Sequence, residues 1–183
     1  MTMAKVEDSV TLLLPHKTVW HRLIEFTRWD EWLHIPDAGT KGLGENMRCL
    51  GGEGTEMRFG LYSGGVLKQT MKVTEWDPPK RLAMALEGWN WKAIFNEREA
   101  KVTPEGRAKM VCNWGALSLA YGADVQPVSD LETKFSFQME AEFTHPVCGP
   151  LFNLVYPLRS QMRRITSDFT ARFTQSFERH RAA

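Results

Sequence analysis

Apolar residues hold the odd positions of Phe135-Ser136-Phe137-Gln138-Met139-Glu140-Ala141-Glu142-Phe143 and polar ones mostly the even. This is the period-2 signature of a strand with one buried face. Beyond Pro146 and Gly149-Pro150 the period lengthens. Leu158, Met162, Ile165, Phe169, Phe173 and Phe177 follow at steps of four and three, which at about 100° per residue line one stripe of a helix. A helix from Leu158 to His180 would run roughly 35 Å, more than a single strand can cover, so it must lie across a whole sheet. The pattern predicts a sheet gripping a terminal helix.

The rest of the chain supplies the strands. Val6, Val10, Leu12 and Leu14 alternate up to Pro15 and read as a first strand; Pro15 then opens a helix with the apolar face Val19, Trp20, Leu23, Ile24 and Phe26. A second short apolar patch, Trp29, Trp32 and Leu33, ends at Pro36. Nine of the fourteen glycines fall between Gly39 and Gly65. Gly51-Gly52 separates the strand Met47 to Leu50 from Thr55 to Leu61, and Gly64-Gly65 separates the latter from Val66 to Trp76, both as hairpin turns. After the turn Asp77-Pro78-Pro79, Arg81 to Glu87, Trp91 to Val102 and Lys109 to Leu117 continue the meander, with a tight turn at Pro104-Glu105-Gly106; Ala120 to Asp130 reads as a polar loop. These make eight candidate strands in an α+β chain, and no internal repeat or interdomain linker divides residues 1–183, which read as one domain.

Composition narrows the function classes. Lys plus Arg number 23 against 22 Asp plus Glu, a net charge of +1, so no global field draws in nucleic acid or an anionic membrane. No apolar run reaches the ~18 residues of a transmembrane helix, and the start Met1-Thr2-Met3-Ala4-Lys5 lacks the apolar segment of a signal peptide, so the expected place is cytoplasmic. Cys49, Cys112 and Cys148 are odd in number and far apart, which suits free thiols in a reducing compartment. The sequence assigns no oligomeric state.

Several phrases resemble the START and birch-pollen-allergen-like superfamily, also called SRPBCC, and its polyketide cyclase/dehydrase branch. Leu14-Pro15-His16-Lys17-Thr18-Val19-Trp20 is similar to the family's entry into its first helix, and Trp29-Asp30-Glu31-Trp32 to the tryptophan turn that follows. Val73-Thr74-Glu75-Trp76-Asp77-Pro78-Pro79-Lys80-Arg81-Leu82 resembles its strand-turn-strand phrase, and Phe143-Thr144-His145-Pro146-Val147-Cys148-Gly149-Pro150-Leu151 the lead-in to its last helix. The resemblance spans nearly the whole chain. It implies a helix-grip fold: a curved antiparallel sheet wrapped around a long C-terminal helix, with two short helices near the N-terminus. The eight candidate strands are one more than the family's sheet usually has, the surplus lying between Gly106 and Phe143.

A long helix held on a curved sheet by large side chains leaves a pocket, of about 300 to 1,000 Å³ for a small-ligand site. Met57, Phe59, Met84, Trp114 and Phe137 are the expected sheet-side walls, with Met47 beside them, and Met162, Ile165 and Phe169 the helix side. Each could equally be core filling. Trp32 and His34 follow the first helices, near where this family's cavity opens, and His34 has the near-neutral pKa of an acid/base group. Asn96, Asn113, Gln69 and Tyr62 lie on or beside strands and could orient a carbonyl or hydroxyl. No catalytic set emerges: Gly60-Leu61-Tyr62-Ser63-Gly64 lacks the nucleophile-elbow spacing, and Cys148 has no matched base in sequence. Gly42-Leu43-Gly44-Glu45-Asn46-Met47 lacks the third glycine of a dinucleotide fingerprint, and the five histidines show no ligand spacing, so neither cofactor nor metal is expected. The arginines of the last helix, among them Arg159, Arg163 and Arg172, read as a solvated outer face. Three functions follow: a binder or carrier of a hydrophobic small molecule, which the missing catalytic set favours; a cyclase/aromatase-type enzyme; and an interaction module like the family's chaperone activators.

Overall fold

Phe135, Phe137, Met139, Ala141 and Phe143 are all buried on one side of a strand, and the helix they predicted lies over them. The computed structural model describes residues 4–29, 46–63, 65–94, 103–105, 107–108, 117–144 and 158–181. In chain order these contain β1 (Ala4–Leu12), α1 (His16–Leu23), a 3-10 turn (Phe26–Arg28), β2 (Asn46–Gly51), a 3-10 turn (Gly54–Glu56), β3 (Arg58–Ser63), β4 (Val66–Asp77), β5 (Arg81–Trp89), the short α2 (Trp91–Ile94), β6 (Leu117–Ser129), β7 (Glu132–Phe143) and α3 (Leu158–Arg181).

The sheet has seven antiparallel strands in the order β1-β7-β6-β5-β4-β3-β2. Bulges interrupt β2, β4, β5 and β6; each bends its strand and adds local twist. α3 packs against β1 and β7. Its stripe is buried at Met162, Phe169, Phe173 and Phe177, with Ile165 packed at the margin. Thr166, Thr170 and Ser176 are buried on the same helix. Their hydroxyls are satisfied by donating to carbonyls one turn back, Thr166 to Met162 at 3.0 Å, Thr170 to Thr166 at 2.9 Å and Ser176 to Phe173 at 2.6 Å. The outer face carries ion pairs instead: Arg81 reaches Glu75 and Asp124, both at 2.6 Å, across β4, β5 and β6, and Lys5 meets Glu140 at 2.8 Å.

Three expectations are corrected. Ala120 to Asp130 is no loop: β6 runs through it between β5 and β7, burying Leu119, Tyr121, Ala123 and Val125. Its polar residues, Asp124 and Gln126 among them, fall at the alternate positions, and pairing on both sides holds a sequence that looks turn-like in isolation. The stretch from Trp91 opens as the helix α2 rather than a strand, while residues 95–102 and 109–116 lie outside the described residues. The Pro104-Glu105 turn is helical, with the Arg107 N–H donating to the Thr103 carbonyl at 2.9 Å. Among the described residues the sheet has seven strands where eight were expected, and most of the candidate strands Trp91 to Val102 and Lys109 to Leu117 lies outside them. Smaller shifts are the end of β1 at Leu12 instead of Leu14 and the 3-10 turn that occupies Gly54–Glu56 ahead of β3.

Candidate functional site

The register of the sheet sorts the buried side chains into two halves. One is aromatic. Phe137 stacks on Phe169 with ring centroids 3.9 Å apart, and Phe135 meets Phe173 at 4.4 Å. Trp29 joins this cluster from the other side, lying parallel to Phe59 at 5.9 Å and edge-on to Phe169 at 6.3 Å, and Phe26 and Trp76 extend it to Trp20. The Trp29 indole N–H donates to the Leu23 carbonyl at 2.7 Å, so its polar edge is used where α1 ends. Ring-on-ring contact closes this half against the C-terminal part of α3, and nothing fits between Phe137 and Phe169.

The other half is built from thioethers. Every methionine among the described residues is buried: Met47, Met57, Met71, Met84, Met139 and Met162. Met139 pairs with Tyr121, Tyr121 with Met84 and Met84 with Val73. These residues share the face of Phe137, because β7 alternates and paired residues project to one side. Met71 lies opposite Phe59 and Leu86, and Met47 opposite Leu61. The contacts of Phe173 with Phe135 and Phe169 with Phe137 fix the direction of α3, which carries Ile165 and Met162 on towards Met139 and Ala141.

Two polar features enter this thioether half. Tyr121 is 8 % exposed, stacks on Phe137 at 6.1 Å, and its hydroxyl makes no hydrogen bond to any described residue. Burial pushes its phenol well above the usual tyrosine range. The second feature is the bulge in β4, where Leu61 pairs with Gln69 but Tyr62 with Leu67, leaving Lys68 as the extra residue. Lys68 and Gln69 are consequently buried in succession, 3 % and 5 % exposed, and Gln69 faces Trp89, which stacks on Trp91 at 5.5 Å. Among the described residues no three His, Cys, Asp or Glu side chains converge as a metal site requires, and no helix is long and apolar enough to cross a membrane.

Neither a protein-family model nor a curated protein sequence matches the chain. Solved structures do match in shape. The aromatase/cyclase Zhui from Streptomyces sp. R1128 aligns over 97% of this chain and 95% of its own, with a TM-score of 0.59 at 14% identity. A START superfamily protein from Mycobacterium smegmatis aligns over 96% and 97%, with a TM-score of 0.56 at 10% identity. Norcoclaurine synthase from Thalictrum flavum aligns over 98% and 88%, with a TM-score of 0.59 at 8% identity. The chain has the START-like helix-grip fold.

Within this helix grip, the sequence-derived candidates divide between the halves. Phe59, Phe137 and Phe169 belong to the closed aromatic half, while Met84 and Met162 belong to the thioether half with Ile165 at the edge of the core. Met57 is buried in the turn ahead of β3, its carbonyl accepting from the Val73 N–H at 3.0 Å. Trp32, His34 and Trp114 lie outside the described residues, as do Asn96, Asn113 and Cys148. Tyr62 is half-buried on the outer side, under the Arg48 guanidinium at 5.0 Å, and Cys49 is an exposed free thiol. Tyr121, Met71, Met139 and Lys68 were missed. The alternation Leu117, Leu119, Tyr121, Ala123, Val125 was the signal for the first of them.

A pH prediction follows from Tyr121. Because its folded-state pKa is raised, the unfolded chain releases this proton first as pH climbs past about 10, and the linked stability, full below that value, is then lost. Wild type is therefore expected to lose more stability than Tyr121→Phe between pH 9 and 11, measured as urea midpoints. Phenolate absorbance of the two folded proteins at pH 11 should be equal.

Proposed function

We propose that the protein binds a hydrophobic small molecule between the thioether half of the sheet and the N-terminal half of α3. The observation that carries this is the change in core chemistry along one helix: interlocking rings under Phe169 and Phe173, flexible thioethers around a buried phenol under Met162. Unbranched, polarizable methionine side chains repack around different shapes, as an adaptable apolar site requires. The fold's other bearers support the reading, since the Thalictrum flavum synthase holds dopamine and hydroxybenzaldehyde and Zhui is an aromatase/cyclase. Met84, Met162 and Ile165 are the proposed contact residues; Met57 flanks them from the turn ahead of β3, and Phe59, Phe137 and Phe169 support them from the closed side.

A cyclase/aromatase activity would use the same space, with Tyr121 and Lys68 as its polar groups. An interaction role rests on a different observation. Leu13, Val128 and Leu131 are 75 %, 59 % and 70 % exposed and gather around Thr133, whose hydroxyl donates to the Leu14 carbonyl at 2.6 Å.

The test is uptake of N-phenyl-1-naphthylamine, with native mass spectrometry of the purified protein for a retained ligand. Wild type is expected to enhance the probe's fluorescence at micromolar concentration, and Ile165→Trp to abolish the enhancement with a melting temperature close to wild type. Filling a real void costs little, whereas overpacking a dense core costs about 1 to 3 kcal/mol. A wild type without uptake, together with an Ile165→Trp protein destabilised by that amount, would leave the exposed apolar end as the functional surface.

A further inference from the structure

We propose that Tyr121 recognises the ligand through a neutral oxygen acceptor, so that the molecule bound is an apolar compound carrying a ketone, ester or quinone-type carbonyl. The inference rests on the binding reading above and deepens it. Tyr121 presents the hydroxyl of a side chain more than nine-tenths buried, with no hydrogen bond to any described residue. The hydroxyl is not one of the fully enclosed, unpartnered polar atoms among the described residues, so its oxygen stays within reach of an incoming group, and an acceptor carried by a ligand completes its bond.

The surroundings select the partner. On the inner face Tyr121 is flanked across the strands by Met84 and Met139, along its own strand by Leu119 and Ala123, and under its ring by Phe137. None of these side chains offers more than a thioether, and Asp8, which shares this face opposite Phe137, stands in β1, two strands from β6, so an acceptor carried by a ligand suits the hydroxyl. With its proton held by burial, the phenol acts as the donor and the ligand atom accepts. A neutral acceptor suits the site better than a carboxylate, because an unpaired charge among thioethers and aliphatic groups would be desolvated without compensation. Lys68 lies in β4, two strands away from β6, and does not share the register row of Tyr121.

Two fluorescent apolar probes of similar size separate the ideas: prodan, a naphthalene ketone whose emission reddens when its carbonyl accepts a hydrogen bond, and N-phenyl-1-naphthylamine, which has no carbonyl. Wild type is expected to bind both. Tyr121→Phe should weaken prodan about tenfold and shift its bound emission to the blue, while leaving N-phenyl-1-naphthylamine within about twofold, the effect of losing one buried hydrogen bond. Should the phenylalanine variant not fold, Tyr121→Met carries the same comparison. Equal effects on both probes, or none on either, would overturn the role of Tyr121 while leaving the binding site in place. A wild type that binds neither probe would overturn the binding reading itself, and this inference with it.

Discussion

Phe169→Asp is expected to lose at least about 4 kcal/mol of stability, a large share of the 5 to 15 kcal/mol typical of a folded domain. Phe169 touches four rings, those of Phe137, Phe135, Phe173 and Trp29. Removing its own ring costs about 3 to 5 kcal/mol in transfer and cavity terms, and the carboxylate then adds a charge among aromatic carbons. Phe169→Leu, which keeps the site apolar, should fall between the two proteins. Arg172→Ala, on the exposed side of the same helix, should stay within about 0.5 kcal/mol of wild type. Urea midpoints measure all three. A Phe169→Asp protein that unfolds at the wild-type midpoint would mean that α3 does not rest on Phe137.

Trp29→Ala is expected to cost about 3 to 5 kcal/mol. Trp29 bridges the N-terminal segment to both the sheet and the terminal helix, through Phe26 at 5.6 Å, Phe59 at 5.9 Å and Phe169 at 6.3 Å. It also satisfies the Leu23 carbonyl. Trp29→Phe keeps much of the ring contact and removes the hydrogen bond, so it should cost about 1 to 3 kcal/mol. Because Trp29 and Phe169 touch, the double variant Trp29→Ala/Phe169→Ala should be less destabilised than the sum of the singles by about 0.5 to 3 kcal/mol. Strict additivity in a double-mutant cycle would contradict the shared cluster.

The elements that could be read from the sequence are those whose apolar period survives alone. β7 and α3 carry large aromatic residues at clean steps of two and of three to four, and both are where the pattern puts them. β6 was hidden because its inner positions include Ala123 and Pro127 and its outer ones Gly122, Asp124 and Gln126, a composition shared with turns. Gly122 has a tertiary reason: a Cβ there would come within 2.5 Å of the Gln138 side chain that crosses it from β7. Tyr121 went unrecognised with its strand. Lys68 could not be read as buried, because alternation permits one inner residue in two and only the bulge opposite Leu61 and Tyr62 admits a pair.

Local chemistry by itself determined the kind of molecule this is. A period-2 strand feeding a one-sided helix too long for one strand requires a sheet beneath it, and a balanced charge with no motif spacing leaves apolar surface as the main resource for function. Only the tertiary structure decided how that surface is divided. Phe137 and Met139 are successive inner residues of one strand and look alike as apolar positions. One is capped by Phe169 at stacking distance; the other stands beside a phenol that makes no hydrogen bond to any described residue. That difference arises from where α3 crosses the sheet and from the register that sets Tyr121 between Met84 and Met139. Both depend on pairings between residues far apart in the chain, which no local period encodes.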